Sequence, residues 1–269
     1  MRAAVLGNPV IHSKSPQLHL AAYLALGLTD WTYERIECSA DQLPGLVGCL
    51  GPDWVGLSVT MPNKVAALEF ADTRTDRAIL AGSANTLLRT KTGWRADCTD
   101  VDGVKGALRE VGVADLAGRA VMVVGAGGTS RPALVALAEM GAKSATVVAR
   151  SADRARETLA CGEAAGLRTT FLAMSDRTLS DAAAAAAVVV STVPAEGVAP
   201  VSAALAHAPI VLDAIYDPWP TPLATAVESA GGIIVSGLSM LLNQAFGQVE
   251  QFTGLSAPRA AMIAAIGTH

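Results

Sequence analysis

Val121-Met122-Val123-Val124-Gly125-Ala126-Gly127-Gly128-Thr129-Ser130-Arg131 runs an apolar strand straight into a glycine turn, and a helical pattern follows over residues 132–140. This is the layout of a dinucleotide-binding βα turn. Gly125 permits the tight turn. Gly127 lets the backbone come close to a pyrophosphate. Ser130 is the small residue required where the helix packs on the strand. The helix N-terminus adds unpaired N–H groups and the positive end of its dipole. A bare glycine fingerprint is often an ordinary turn. The strand before this one and the helix after it give it meaning.

The next strand, residues 144–151, narrows the nucleotide. An NAD site normally places Asp or Glu near the end of this strand, to hold the ribose 2′-hydroxyl. Here the strand ends in Arg150, with Arg154 and Arg156 close behind. A carboxylate repels a 2′-phosphate, whereas a guanidinium binds it through charge-assisted hydrogen bonds. The expected cofactor is therefore NADP. The arginines also suit the solvated face of a helix, which fits Arg156 better than Arg150 at the strand tip.

Bulk properties exclude several classes. At 269 residues the chain is long enough for one or two domains with a sizeable core. A formal charge of −4 argues against a nucleic-acid surface. No apolar run reaches a membrane span, and Met1-Arg2 leads into a strand pattern rather than a signal peptide. Cys38, Cys49, Cys98 and Cys161 are scattered without a C-x-x-C. They read as reduced cytoplasmic thiols. The histidines show no ligand spacing, so no metal is expected. The alanine-rich run over residues 182–187 is helix material without chemistry.

Outward from the glycine turn, the N-terminal hundred residues have their own βα rhythm. Strands are expected over 3–7, 31–38 and 54–59. Helices are expected over 16–26, 41–50 and 64–71, with Asp41 as an N-cap. Alternation of this kind implies a mainly parallel sheet. The Rossmann-like part begins near Ala120, with later strands over 188–192, 210–214 and 233–235. The segment 239–252 reads as one helix. The fold class expected is α/β, with two α/β units and a cleft between them. Ligands of such sheets bind at the carboxyl ends of strands.

The residues after each N-terminal strand deserve a joint reading. Ser13 and Ser15 flank Lys14 just before a helix, a placement that also suits a turn and a helix cap. Thr60 and Lys64 follow the third strand. Lys64 sits in a first helical turn, where the dipole disfavours a cation, although a solvated lysine is the commoner explanation. Asn85 and Asp100 each suit a turn as well. Taken together, the two serines, Lys64, Asn85 and Asp100 give two hydroxyls, a lysine, an amide and a carboxylate, all expected at one cleft. That set suits a small polyhydroxylated acid beside a nicotinamide ring.

These segments together resemble the shikimate dehydrogenases, enzymes that reduce 3-dehydroshikimate with NADPH in the pathway to aromatic amino acids. The resemblance spans nearly the whole chain and looks closest to actinobacterial, mycobacterium-like members. G-x-P-x-x-H-S-x-S-P falls on residues 7–16, V-T-x-P-x-K on 59–64, A-G-x-x-N-T on 81–86 and T-D on 99–100. G-x-G-G-x-x-R falls on 125–131, and S-G-L-x-M-L-x-x-Q on 236–244.

The resemblance implies roles. Ser13 and Ser15 would hold the substrate carboxylate, helped by Tyr216. Thr60, Asn85 and Gln244 would bind ring hydroxyls. Lys64 and Asp100 would be the catalytic pair, with Lys64 either proton donor or electrostatic anchor. Gly125, Gly127, Gly128, Thr129 and Ser130 would cradle the pyrophosphate, and Arg150 and Arg154 would read the 2′-phosphate. Thr192 and Val193 would line the cofactor groove, with Gly237 and Met240 at the nicotinamide end. Residues 1–101, completed by 239–269, would form the substrate-binding domain, and 102–238 the NADP-binding domain. The partner expected is the small-molecule substrate alone, with no nucleic acid or membrane, in a cytoplasmic monomer or homodimer. Many members of the family carry Asn at the positions of Ser58, Cys98 and Ala149. A quinate or aminoshikimate dehydrogenase, or a non-catalytic NADP-binding sensor, are the alternatives.

Overall fold

Arg2–Gly7 forms β1, whose last five residues are buried. An apolar strand covered on both faces belongs in the middle of a sheet, and β1 does lie between β2 (Thr32–Glu37) and β3 (Trp54–Val59), parallel to both. Between these strands run α1 (Ser15–Ala25) and α2 (Leu43–Gly48); α3 (Lys64–Phe70) follows β3. The short β4 (Thr73–Arg74) and α4 (Asp76–Ala81) lead into β5 (Thr86–Thr90) and β6 (Gly93–Asp97). The computed structural model describes residues 1–267. Residues 268 and 269, the end of the segment expected to complete the first domain, lie outside the described residues.

The first sheet has the order β2-β1-β3-β5-β6-β4. It is mainly parallel, as expected, with one strand reversed: β1 pairs parallel with β2 and β3, and β4 with β6, while β5 is antiparallel to both β3 and β6. The cause is a tight hairpin at Lys91-Thr92 that joins β5 to β6, with Thr90 paired to Gly93. Gly93 has φ +139°, and a side chain there would run into the Asp72 carboxylate that accepts from Trp94 N at 2.8 Å. Asp41 does not cap α2: the N-cap is Gln42, whose side-chain oxygen accepts from Ser39 N at 3.0 Å.

The second sheet is built from β7 (Ala120–Val124), β8 (Ser144–Ala149), β9 (Arg168–Ala173), β10 (Val189–Ser191), β11 (Ile210–Asp213) and β12 (Ile233–Ser236). All of its pairs are parallel, in the order β12-β11-β10-β7-β8-β9. This is the doubly wound arrangement, and the order reverses between β7 and β10. The helices of this part are α5 (Asp100–Glu110), α6 (Ser130–Glu139), α7 (Ala152–Ala164), α8 (Leu179–Ala185), α9 (Ala195–Val198), α10 (Ser202–Leu205) and α11 (Pro222–Ser229). Met122, Val124, Val148, Val189 and Val211 pack with Leu179, Leu205, Leu223 and Val227 in one core. The alanine run leaves α8 after Ala185, and its last two residues, Ala186 and Ala187, lie in the connection to β10.

The chain ends with α12 (Gly237–Thr253) and α13 (Arg259–Ile266). It divides into two compact units, Met1–Thr99 with the residues from Leu241 onward, and Asp100–Met240. One division falls at the head of α5 and the other inside α12. Within the first unit, Leu242, Ala245, Phe246 and Val249 pack with Leu18, Ala22 and Met262. Phe252 lies over Gly56 of β3, so closely that a Cβ on Gly56 would overlap its ring. The positions between these apolar residues carry Gln244, Gln248 and Gln251. At i, i+4 and i+7 they share one helix face.

Candidate active site and nucleotide-binding turn

Topology brings the expected residues of the first unit to one edge. β1 and β3 are parallel, so the segments after Gly7 and Val59 emerge at the same end. Because β5 is antiparallel to β3, its first residue, Thr86, lies at that end opposite Ser58, with Asn85 just before it. β6 ends opposite Thr86 and continues into Thr99. Gly7 keeps this edge tight: a Cβ there would collide with the Thr60 methyl group.

Ser13 and Ser15 are both buried. Ser15 is the first residue of α1 rather than its cap, and the N-cap, Lys14, makes no side-chain capping bond. The Ser13 hydroxyl accepts from Ser15 N at 3.3 Å. The Ser13 carbonyl accepts from Arg35 Nε at 3.1 Å and Nη2 at 2.6 Å. The Ser15 hydroxyl meets the hydroxyl of Tyr33.

Lys64 begins α3 and is half-buried. Its carbonyl accepts from Ala84 N at 2.8 Å, which brings its backbone against the Ala84-Asn85 segment. Asn63, fully buried, fixes the turn before it by donating from Nδ2 to the Cys38 carbonyl at 2.7 Å. Asn85 donates to Thr99 Oγ1 and to Gln244 Oε1, each at 2.9 Å, and accepts from Thr99 N at 2.7 Å. The structure thus gathers Thr60, Lys64, Asn85 and Gln244. It also pins Thr99, the residue before Asp100. Cys98 sets that turn through its backbone, its N–H donating to Asp97 Oδ1 at 2.8 Å, where an asparagine side chain is common in the family it resembles.

Behind this cluster lies a polar layer that the sequence did not flag. Gln248 donates to the Asn85 carbonyl at 3.0 Å and to Thr86 Oγ1 at 2.9 Å. Its oxygen therefore faces Ser58 Oγ at 2.6 Å and His19 Nε2 at 3.3 Å. An amide oxygen only accepts, so Ser58 and His19 Nε2 carry the protons. Tyr33 donates to Ser58 at 2.6 Å. Burial pulls His19 down to about 3, against a smaller upward pull from its Gln248 bond, so the ring is neutral. It stacks on Tyr33 with centroids 4.1 Å apart.

Asp97 is a second hub. Burial pushes its carboxyl up, but Arg77, Thr75 and the Cys98 N–H outweigh that and hold it at about 2. Arg77 grips it with two bonds, at 2.7 and 2.6 Å, and Gln251 donates to it at 2.7 Å. The only sequence signal for this layer was the run of glutamines at helical spacing in α12.

In the second unit, every expected cofactor residue outside α7 lies on the carboxyl edge of the parallel sheet or next to it. Gly125 N donates to the Val148 carbonyl at 2.8 Å. Its φ is +119°, and a Cβ there would overlap the Thr192 hydroxyl, so only glycine serves. Gly127 N donates to Ser130 Oγ at 3.2 Å, and Ser130 and Thr192 share a 2.7 Å hydrogen bond. Val193 lies beside the same turn. Gly128 and Thr129 complete it, and Thr129 makes no side-chain cap on α6.

This geometry fits a dinucleotide phosphate. A Cβ on Gly127 would meet nothing within 4 Å, which leaves room above the backbone N–H groups. Arg150 follows β8 and Arg154 lies in the first turn of α7. Both are exposed, and neither has a carboxylate partner among the described residues. Arg156 is different: it pairs with Asp153 at 2.5 Å, as a surface-helix arginine does.

Tyr216 sits in the loop after β11. Asp213 closes the base of that loop, accepting from Thr221 Oγ1 at 2.7 Å and Ile215 N at 3.2 Å. Burial pushes the Asp213 carboxyl up, and these bonds oppose the push. Gly237 N donates to the Ile215 carbonyl at 3.3 Å, and a Cβ on Gly237 would strike the Ala214 carbonyl. Met240 is buried in the first turn of α12. Among the described residues no cluster of His, Cys, Asp or Glu could hold a metal, and no helix is long and apolar enough to cross a membrane.

Known proteins share this arrangement. Residues 5–87 match the model of the shikimate dehydrogenase substrate binding domain. Residues 107–211 match that of shikimate / quinate 5-dehydrogenase, and 237–266 that of the shikimate 5′-dehydrogenase C-terminal domain. A shikimate dehydrogenase (NADP(+)) of Halobacterium salinarum is 38% identical over 97% of both chains. The crystal structure of Mycobacterium tuberculosis shikimate dehydrogenase is 61% identical, covers 98% of both chains and superposes with a TM-score of 0.93. That of Thermus thermophilus shikimate 5-dehydrogenase in complex with NADP(H) and shikimate is 30% identical over 98% of both chains, with a TM-score of 0.82. Identity at this level over nearly the whole chain places it in the shikimate dehydrogenase family.

Proposed function

We propose that this chain catalyses the reversible, NADP(H)-dependent reduction of 3-dehydroshikimate to shikimate, a step on the way to aromatic amino acids. The observation that carries the reading is the buried cluster of Asn85, Thr99 and Gln244 beside Lys64, on a chain that also holds an NADP-type turn. The four free cysteines suit the reducing cytoplasm in which we place it.

Gly125, Gly127, Gly128, Thr129 and Ser130 hold the pyrophosphate. Arg150 and Arg154 hold the 2′-phosphate; Thr192, Val193, Gly237 and Met240 line the rest of the groove. When bound, the nicotinamide supplies or takes the hydride. Ser13, Ser15 and Tyr216 take the substrate carboxylate. Thr60, Asn85 and Gln244 take ring hydroxyls. Both Asn85 amide hydrogens are engaged, so a ring hydroxyl enters by displacing the Gln244 or Thr99 contact. Lys64 places its ammonium at the reacting oxygen, where it stabilises the developing alkoxide and passes it a proton. Asp100 orients Lys64 and accepts from a neighbouring hydroxyl.

The test is purified protein with shikimate and NADP⁺ or NAD⁺, followed by nicotinamide absorbance, with quinate as a comparison. Turnover of shikimate with NADP⁺ preferred at least ~10-fold in kcat/KM is expected, about 1.4 kcal/mol of differential binding. Lys64→Ala should lower kcat by at least ~10²-fold with cofactor affinity kept. Preferred turnover of quinate, or cofactor binding without turnover of either acid, would overturn the reading.

A further inference from the structure

We propose that Arg35 is the cation of the carboxylate-binding end of the site, holding Ser13 in place and supplying the positive charge that the two serine hydroxyls lack. The proposal rests on the reading of Ser13 and Ser15 as the holders of the substrate carboxylate.

Tyr33 and Arg35 are two residues apart on β2, so they point to the same face of the sheet. Each fixes one serine. Tyr33 reaches the Ser15 hydroxyl, and Arg35 grips the Ser13 carbonyl through two N–H groups at 2.6 and 3.1 Å. One strand face thereby sets the spacing of the pair.

The charge of Arg35 is uncommitted. A guanidinium has five N–H donors, and a carbonyl neutralises none of its charge. Among the described residues no carboxylate lies within ion-pair distance of it: the neighbouring Glu34 is turned to Arg2 at 3.0 Å. Its field is felt at the Tyr33 hydroxyl, where it opposes the upward push of burial. Ser13 and Ser15 are neutral and buried. A carboxylate transferred there from water loses hydration that hydroxyls replace only in part. A cation fixed on the backbone of one of those serines offsets the loss. Lys64 is no substitute, because its assigned place is at the reacting oxygen.

The test uses the intact chain with two probes of nearly equal shape, shikimate and its uncharged methyl ester. Their affinities are measured calorimetrically without cofactor on the wild type, Arg35→Gln and Arg35→Lys, with thermal midpoints as a check on folding. In Arg35→Gln the affinity ratio of acid to ester should fall at least tenfold, and in Arg35→Lys it should stay within threefold of wild type. Affinity for NADP⁺ should not move. An unchanged ratio in Arg35→Gln, including equal losses for acid and ester, would overturn the charge role and leave Arg35 a loop support. Turnover is assayed separately. A wild type that binds shikimate with this ratio but does not oxidise it would keep Arg35 and sink the proposed reaction. A wild type that does not bind shikimate would sink both.

Discussion

Arg150 and Arg156 lie close together in sequence and differ in what surrounds them. Arg156 pairs its charge with Asp153 one turn away, whereas Arg150, just past β8, meets no carboxylate among the described residues. We therefore propose that cofactor choice belongs to Arg150, with Arg154 beside it. Arg150→Ala should raise KM for NADP⁺ about tenfold and leave KM for NAD⁺ within about twofold, the scale of one lost charge-assisted contact. Steady-state kinetics with both cofactors checks this, and equal losses would assign the 2′-phosphate elsewhere. The Arg150 reading was available from sequence because it needed only the absence of an acid at a known place. Arg35 was not. Nothing local marks it, since its partner is the backbone of Ser13, 22 residues away.

At the scale of elements, α12 shows what pattern reading could and could not reach. Its apolar positions announced a helix, and a helix runs from Gly237 to Thr253. Of its glutamines the motif singled out only Gln244, yet Gln248 is buried and bonded to Asn85 and Thr86, more than 160 residues away in sequence. A buried polar residue looks like a surface one until its partners are known. The same confusion hid the β5–β6 hairpin, whose strands carry Thr, Arg and Asp, and the polar edge strand β9. The central strands of the Rossmann half, β7, β8, β10 and β11, were easier because they are mostly buried and mostly apolar. Gln248→Leu should destabilise the protein by about 3 kcal/mol in urea unfolding. It keeps side-chain bulk but strips partners from several buried groups, each worth ~1–3 kcal/mol. A loss under 1 kcal/mol would mean that water replaces the amide.

For the whole molecule, the buried polar layer sets the response to acid. His19 has a folded value near 3, far below the usual 6.5, so the unfolded chain takes up its proton first. Its contribution is complete above about pH 6.5 and is lost as pH falls toward 3, at up to ~1.4 kcal/mol per pH unit. Asp97, held at about 2, adds a second loss that begins only near pH 4. Unfolding midpoints should therefore fall already between pH 6.5 and 5 in the wild type, and His19→Phe should flatten that stage while leaving the loss below pH 4. A wild type with constant stability from pH 7 to 5 would contradict the buried neutral ring. The division of the chain inside α12 has a different consequence, one of timing. Translation releases residues 1–99 first, yet the glutamines that satisfy Asn85 and Asp97, and the ring that covers Gly56, arrive only after Leu241. The sheet made earliest on the ribosome is thus the last to be finished, and the nucleotide-binding half can close while its predecessor still waits for its missing helix.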